Sequence, residues 1–356
     1  MRDQRVRSGE IELAVRVGGE DDRPAVVLVH GYPDTGAMWD EVAERLAGRF
    51  RVIAYDVRGA GASSDPSDPM DYGLGALMGD LEAVLDGAGA RAPVHLVGHD
   101  WGSVQGWEAV IGDRLRGRIA SFTSISGPDR RHMARWAREA VRSGPRGVAE
   151  VLGQARRSVY MPVLMAPRVG ETAARVLAAG FGRTMRLREG ADPRSGHPAE
   201  TLRADARNGL GLYRANMRRG SGPAGDGRTD VPVQLIVPVK DRYGSQSLLL
   251  SARGAVPRLY VRRAPPGTGW RVATLTSSPV GSASSWSTSR AGRRHLGWPT
   301  RARRDSPART SGAISSSSRV RAAVSDEPPP MPSPPQGHGW SSQISMKAPR
   351  STRWTR

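Results

Sequence analysis

The chain has 356 residues, room for one large α/β domain with an insertion or for two small domains, and its 53 Lys and Arg against 34 Asp and Glu give a formal charge of +19. With no cysteine, a disulfide scaffold, a zinc–thiolate site and thiol catalysis are excluded. No apolar run approaches the roughly 20 residues of a membrane span, and the N-terminal MRDQRVRSGEIELAV lacks the apolar stretch of a secretory signal; both point to a soluble, cytoplasmic protein.

In chain order, Ala25 to His30 (AVVLVH) is a continuous apolar run ending at Gly31-Tyr32-Pro33, the pattern of a strand buried on both faces. Val52 to Tyr55, Val94 to Val97, Ile119 to Ile125 and Gln234 to Val237 repeat the pattern, and Leu259 to Val261 forms a last, shorter run. Helical periods lie between them, at Trp39 to Leu46 and Leu74 to Leu85. Strands alternating with helices predict a mostly parallel, doubly wound sheet, whose ligands bind outside the carboxyl ends of the strands. From about Pro128 to Thr229 the rhythm breaks into Arg- and Ala-rich helical sequence without a strand run. The expected organisation is a core over 1–128, a helical cap over 129–229, a second and incomplete part of the core over 230–264, and a tail over 265–356.

The tail is a different kind of sequence. It carries fourteen basic residues against Asp305, Asp326 and Glu327, a net of +11, which leaves +8 for the first 264 residues. Five of the nine tryptophans fall there among Ser, Arg, Pro and Thr, without helix or strand period. It reads as a disordered basic tail.

The most informative segment is Val97-Gly98-His99-Asp100-Trp101-Gly102-Ser103. A buried strand ends, a Gly-x-Asp-x-Gly turn follows, and a helix begins at about Ser103. Small residues on either side permit the strained strand-to-helix turn that projects one side chain above a sheet. Here that side chain is a carboxylate, which can attack an electrophilic carbon and form an ester that water must then cleave. Asp is also favoured as a helix N-cap, so the turn alone leaves both readings open. The neighbours weigh for chemistry: His30-Gly31-Tyr32-Pro33 follows the first strand, where a second oxyanion donor belongs, and Asp56 to Ser63 (DVRGAGAS) follows the second.

These three motifs, in this order and spacing, resemble the α/β-hydrolase fold, and the Asp elbow with His-Gly-Tyr-Pro resembles its epoxide hydrolase branch, over residues 10 to 262. The resemblance implies Asp100 as nucleophile and the backbone amides of Tyr32 and Trp101 as the oxyanion hole. It also implies Asp241, after the QLIVPVKD run, as the residue that orients a catalytic histidine. Tyr213, with Tyr160 as a weaker match, would donate protons to the opening ring. His30, Gly31, Pro33, Gly98 and Gly102 support the turns; His95 and His99 are expected to be structural. The substrate class implied is a small-molecule epoxide, with no cofactor and no metal. Haloalkane dehalogenases share the His-Asp-Trp-Gly elbow but commonly carry Asn where Tyr32 stands, and are the alternative chemistry.

The histidine itself is missing. The resemblance places it after one more strand, in a Gly-His-Trp context, but Pro265 to Trp270 (PPGTGW) contains none, and His295 and His338 lie in unpatterned sequence. A one-base change of frame at Pro265 permits Ala-Gly-His-Trp-Val-Ala-Arg-Arg-His-Pro. From Ser315 the same frame permits Val-Val-Val-Thr-Gly-Ala-Gly-Ser-Gly-Val-Gly-Arg, a strand running into a dinucleotide-binding turn. That turn resembles a short-chain dehydrogenase, and a fused family joins an epoxide-hydrolase-like half to such a dehydrogenase. The reading is therefore a frameshift near codons 262 to 267, with 265–356 translated out of frame. No nucleotide cofactor is expected for the chain as it stands. The competing reading is a genuine basic tail that binds nucleic acid, although the tail contains no nucleic-acid module and leaves the absent histidine unexplained.

Overall fold

The computed structural model describes residues 1–91, 93–189, 196–217 and 225–264. The expected tail, and the shifted-frame reading with it, lie outside the described residues. Eight strands form one sheet: β1 (Arg2–Ser8), β2 (Ile11–Gly18), β3 (Ala25–Val29), β4 (Arg51–Tyr55), β5 (Val94–His99), β6 (Ile119–Ile125), β7 (Val233–Pro238) and β8 (Leu259–Ala264). Their order is β1-β2-β4-β3-β5-β6-β7-β8. The β1–β2 and β2–β4 pairs are antiparallel, and every other pair is parallel. The helices are α1 (Asp40–Ala47), α2 (Leu74–Gly87), α3 (Trp101–Ile111), α4 (Arg130–Arg142), α5 (Pro145–Arg157), α6 (Tyr160–Met165), α7 (Val169–Thr184), α8 (Leu202–Asn208), α9 (Leu210–Asn216) and α10 (Gln246–Leu249).

β3 and β4 are buried at every position, which is why they read as unbroken apolar runs. In β3, Val26 and Leu28 pack against Trp39, Val42 and Ala43 on one face of the sheet. Ala25, Val27 and Val29 join the larger core on the other face, with Leu77, Leu81 and Trp107 of α2 and α3. The sheet is thus covered on both sides, as parallel sheets are. The β1–β2 hairpin is the part the apolar runs do not announce. β1 (RDQRVRS) buries only Val6. β2 shows the alternation of a half-buried strand, with Leu13, Val15 and Val17 turned inward.

The chain passes from β3 to β4 on one side, then returns to place β5 on β3's other side. At such a reversal the loops leaving neighbouring strands diverge and open a cleft at their carboxyl ends. Here the two loops are 30–35 after β3 and the turn at Asp100 after β5. α4 to α9 all fall between β6 and β7. The loop after β4 is braced by a buried ion pair: Arg58 Nε and Nη2 donate to Asp80 Oδ2 and Oδ1, each at 2.6 Å.

The helix after β5 starts at Trp101, two residues earlier than expected, so Asp100 is its N-cap, at φ 51° and ψ −118°. An L-residue in that region is strained, and the packing around it explains why it persists. A Cβ on Gly98 would lie 2.3 Å from the Gly102 carbonyl oxygen, and one on Gly102 2.2 Å from that of Val29. Backbone occupies the space where a side chain would begin. We expect Gly102→Ala to lower unfolding stability by about 1–3 kcal/mol through overpacking. Gly48→Ala, whose Cβ would meet nothing within 4 Å, should not; thermal or urea unfolding of the two variants checks the contrast.

Candidate active site

Asp100 sits at the helix N-cap without capping it, since its side chain makes no cap hydrogen bond to α3. Its Oδ1 instead accepts the backbone N–H of Tyr32 at 2.9 Å, and the N–H of Trp101 also bonds the carboxylate. The two amides expected for an oxyanion hole therefore both converge on this carboxylate. The approach is close enough that a Cβ on Gly31 would lie 2.5 Å from the Asp100 Cβ. Burial raises the Asp100 pKa, partly offset by His99 and the two amides, while the charge of Asp241 adds to the rise.

His30 is not a base here. Its Nε2 accepts the Val57 N–H at 2.8 Å, so the ring proton is on Nδ1, which donates to the Gly31 carbonyl at 2.9 Å. Fully enclosed, this imidazole ties the loop after β3 to the loop after β4. His95, in β5, is bonded through Nδ1 to Ser121 Oγ at 2.8 Å.

The cavity above Asp100 has a volume of about 290 Å³, near the lower end for a small-molecule site. Asp241, Tyr160, Tyr213, Tyr32 and Pro33 all line it, so the residues expected from the sequence come together. Asp241 Oδ1 accepts the N–H groups of Tyr243 and Gly244, each at 2.8 Å, which fixes the turn after β7. Tyr213 is buried, edge-on to Trp101 and Tyr32 at 5.1 and 5.3 Å between ring centres. Its oxygen bonds the Trp101 side chain and the Tyr160 hydroxyl. An indole N–H can only donate, so the Tyr213 oxygen accepts from Trp101 and keeps its own proton to donate. Burial, reinforced by the charge of Asp100, raises the pKa of both phenols. They stay protonated, as hydrogen-bond donors.

Several lining residues were not singled out in the sequence. Ser126 follows β6, at φ 56°, and its enclosed hydroxyl has no partner among the described residues. The rule that residues just beyond each strand are suspects would have found it. Leu164, Leu177 and Phe181 of α6 and α7 form an apolar wall, which helical spacing cannot tell from ordinary core. His99 also lines the cavity, and burial lowers its pKa against the opposing charges of Asp100, Asp34 and Asp241.

Residues 24–164 match the family model of the alpha/beta hydrolase fold. The chain is 36% identical over 258 residues to the probable oxidoreductase EphD of Mycobacterium tuberculosis, a match covering 71% of this chain and 44% of that protein. It is also 36% identical over 124 residues to epoxide hydrolase A of Mycobacterium tuberculosis, which is 35% of this chain and 38% of that one. The chain has the α/β-hydrolase fold, and the proteins it resembles include epoxide hydrolases. The inhibitor complex of Bacillus megaterium epoxide hydrolase superposes with a TM-score of 0.60 at 20% identity, covering 77% of this chain and 97% of that one. Epoxide hydrolase A from Mycobacterium thermoresistibile gives 0.58 at 22%, covering 78% and 96%. At such identities the likeness is one of fold. The chain spans less than half the length of the curated relatives it matches first. Among the described residues of this chain, no helix is long and apolar enough to cross a membrane, and no cluster of metal-ligating side chains occurs.

A buried carboxyl whose pKa is raised favours the protonated form in the folded state. The stability this gives is complete below the ordinary carboxylate range and is lost as pH rises through the raised value. Asp100→Asn, with nothing to ionise, should therefore gain thermal stability relative to the native chain as pH rises from about 4 towards neutrality, the two converging in acid. Melting curves across that range give the sign.

Proposed function

We propose that the chain opens epoxides through a covalent ester on Asp100. The reading is carried by one observation: the Asp100 carboxylate accepts two backbone amides, that of Tyr32 on Oδ1, and shares its cavity with two protonated phenols. Attack by Oδ2 forms a carbon–oxygen bond as the epoxide carbon–oxygen bond breaks. The departing oxygen takes a phenolic proton from the Tyr213–Tyr160 pair, and solvent restores it to the phenolate. The phenols also favour an epoxide over the dehalogenase alternative, because a leaving alkoxide needs a proton donor and a leaving halide does not.

Cleavage of the ester by water needs a base. Negative charge developing on Oδ1 would fall to the Tyr32 and Trp101 amides, and Asp241, whose Oδ1 is committed to its own turn, would present Oδ2 to a histidine. We infer that this histidine is absent from the chain and that the second half-reaction is lost. His30 and His95 are engaged elsewhere, and the residues directly after β8 include none. Positions 129–229 act as the cap that carries the two phenols, and the frameshift accounts for the missing base.

Incubation with styrene oxide should add the mass of one epoxide to the intact protein, at a single site, without sustained diol formation. Asp100→Asn should abolish the adduct, and Tyr213→Phe should slow it by about a hundredfold, a typical contribution of general acid catalysis. Diol turnover that depends on Asp100 would overturn the loss of the base and direct attention to His99. Sequencing codons 255–345 of the gene tests the shifted frame directly: a single inserted or deleted base that restores Gly-His-Trp is the expected finding.

A further inference from the structure

Outside the cavity lies a buried pair that the reaction does not use. His197 Nε2 donates to Asp34 Oδ2 at 2.9 Å, with both side chains almost wholly enclosed. The residues are 163 positions apart and join the helical insertion to the core. Asp34 closes the turn that carries the oxyanion amide: its own N–H donates to the Gly31 carbonyl at 3.0 Å, and its Oδ1 accepts the Thr35 N–H at 3.0 Å. Tyr32, inside that turn, is held from the same stretch of the insertion, its hydroxyl donating to the Ala206 carbonyl at 2.7 Å. A Cβ on Gly209 would lie 2.6 Å from the Tyr32 ring. Residues 197–209 thus grip the turn at both ends, through the carboxylate of Asp34 and the phenol of Tyr32, with the Asp100-bound amide between them.

We propose that His197 is a positioning residue, acting through Asp34 to hold the Tyr32 N–H against Asp100 and so coupling the seating of the insertion to the readiness of the nucleophile. The proposal rests on the reading of Asp100 as nucleophile. Its physical basis is that an oxyanion donor counts only where it is pre-placed, and that small misplacements of a catalytic group slow reactions steeply. A ring donor to a buried carboxylate is also directional, unlike an apolar contact.

The test is the rate at which styrene oxide labels Asp100 in the full chain, measured as a function of epoxide concentration. His197→Phe, which keeps a ring but no donor, should lower the limiting rate about tenfold with little change in the half-saturating concentration. His197→Gln, which keeps a donor, should recover most of the rate. Asp34→Asn combined with His197→Phe should lose no more than His197→Phe alone, because the two side chains act as one unit. Partial unfolding would lower the labelled fraction and leave the limiting rate intact, so a structural defect is separable. A native limiting rate in His197→Phe, or a loss confined to half-saturation, overturns the proposal. If the native chain forms no adduct, the nucleophile reading fails by itself. Hydrogen exchange then still decides: faster exchange over Gly31–Thr35 in His197→Phe supports the positioning role, and unchanged exchange refutes it.

Discussion

An aspartate at φ 51° is held only where its surroundings leave no alternative, and the rest of the site depends on that residue. Released from the turn, Asp100 would do what aspartates do at the start of helices and accept an N–H from the next turn of α3, a bond worth about 1 kcal/mol. It is prevented by three backbones packed closer than any Cβ allows, at Gly31, Gly98 and Gly102. Those contacts pull the loop after β3 against the turn after β5, and only then can the Tyr32 amide reach Oδ1. The strain, the glycines and the Tyr32 amide contact are one constraint seen from three positions.

The helical insertion is fastened to the core by polar contacts at the segment between β4 and α2. Asp205 accepts the Gly61 N–H at 2.9 Å, and the Asn208 amide donates to the Gly59 carbonyl at 3.2 Å. Asn216 bonds both the Leu74 N–H and the Tyr72 carbonyl at 2.9 Å. Burial raises the Asp205 pKa, opposed by its bonds to Thr201 and Gly61. Apolar packing alone would permit several seatings of α8 and α9. Directional bonds made by buried groups, each expensive to leave unpaired, select one, and with it the direction from which Tyr213 enters the cavity.

What could be read from the sequence follows the range of the interactions. Strands buried on both faces announce themselves locally, so β3 to β7 were legible as apolar runs. β1 was not, because an edge strand with one buried residue resembles any polar segment, although the alternation of Leu13, Val15 and Val17 in β2 was available. The elbow was legible because its strain is written in adjacent glycines. Tyr213 and Asp241 carry no such local mark and were reached only through the family resemblance. His197 was passed over because its partner is 163 residues away and nothing in Gly196-His197-Pro198 distinguishes it from a loop histidine. Ser126 needed only the strand-end rule applied one strand further.

The two halves of the proposed reaction draw on different parts of the chain, and the sheet shows where they separate. Ester formation uses residues between Tyr32 and Tyr213. Ester cleavage, as proposed, needs a base beside Asp241, which follows β7, the strand that pairs with β8. Pro238 pairs with Ala264, and the Val239 N–H donates to the Ala264 carbonyl at 2.9 Å. In a parallel pair both carboxyl ends leave the sheet on the same side, so the chain emerges from β8 next to the turn that Asp241 organises. In the sequence, Ala264 is followed by Pro-Pro-Gly-Thr-Gly-Trp. None of these side chains titrates near neutrality. In the proposed reaction, a site with a nucleophile, two donors and an orienting carboxylate, but no base after β8, would form the ester and lack the group that cleaves it.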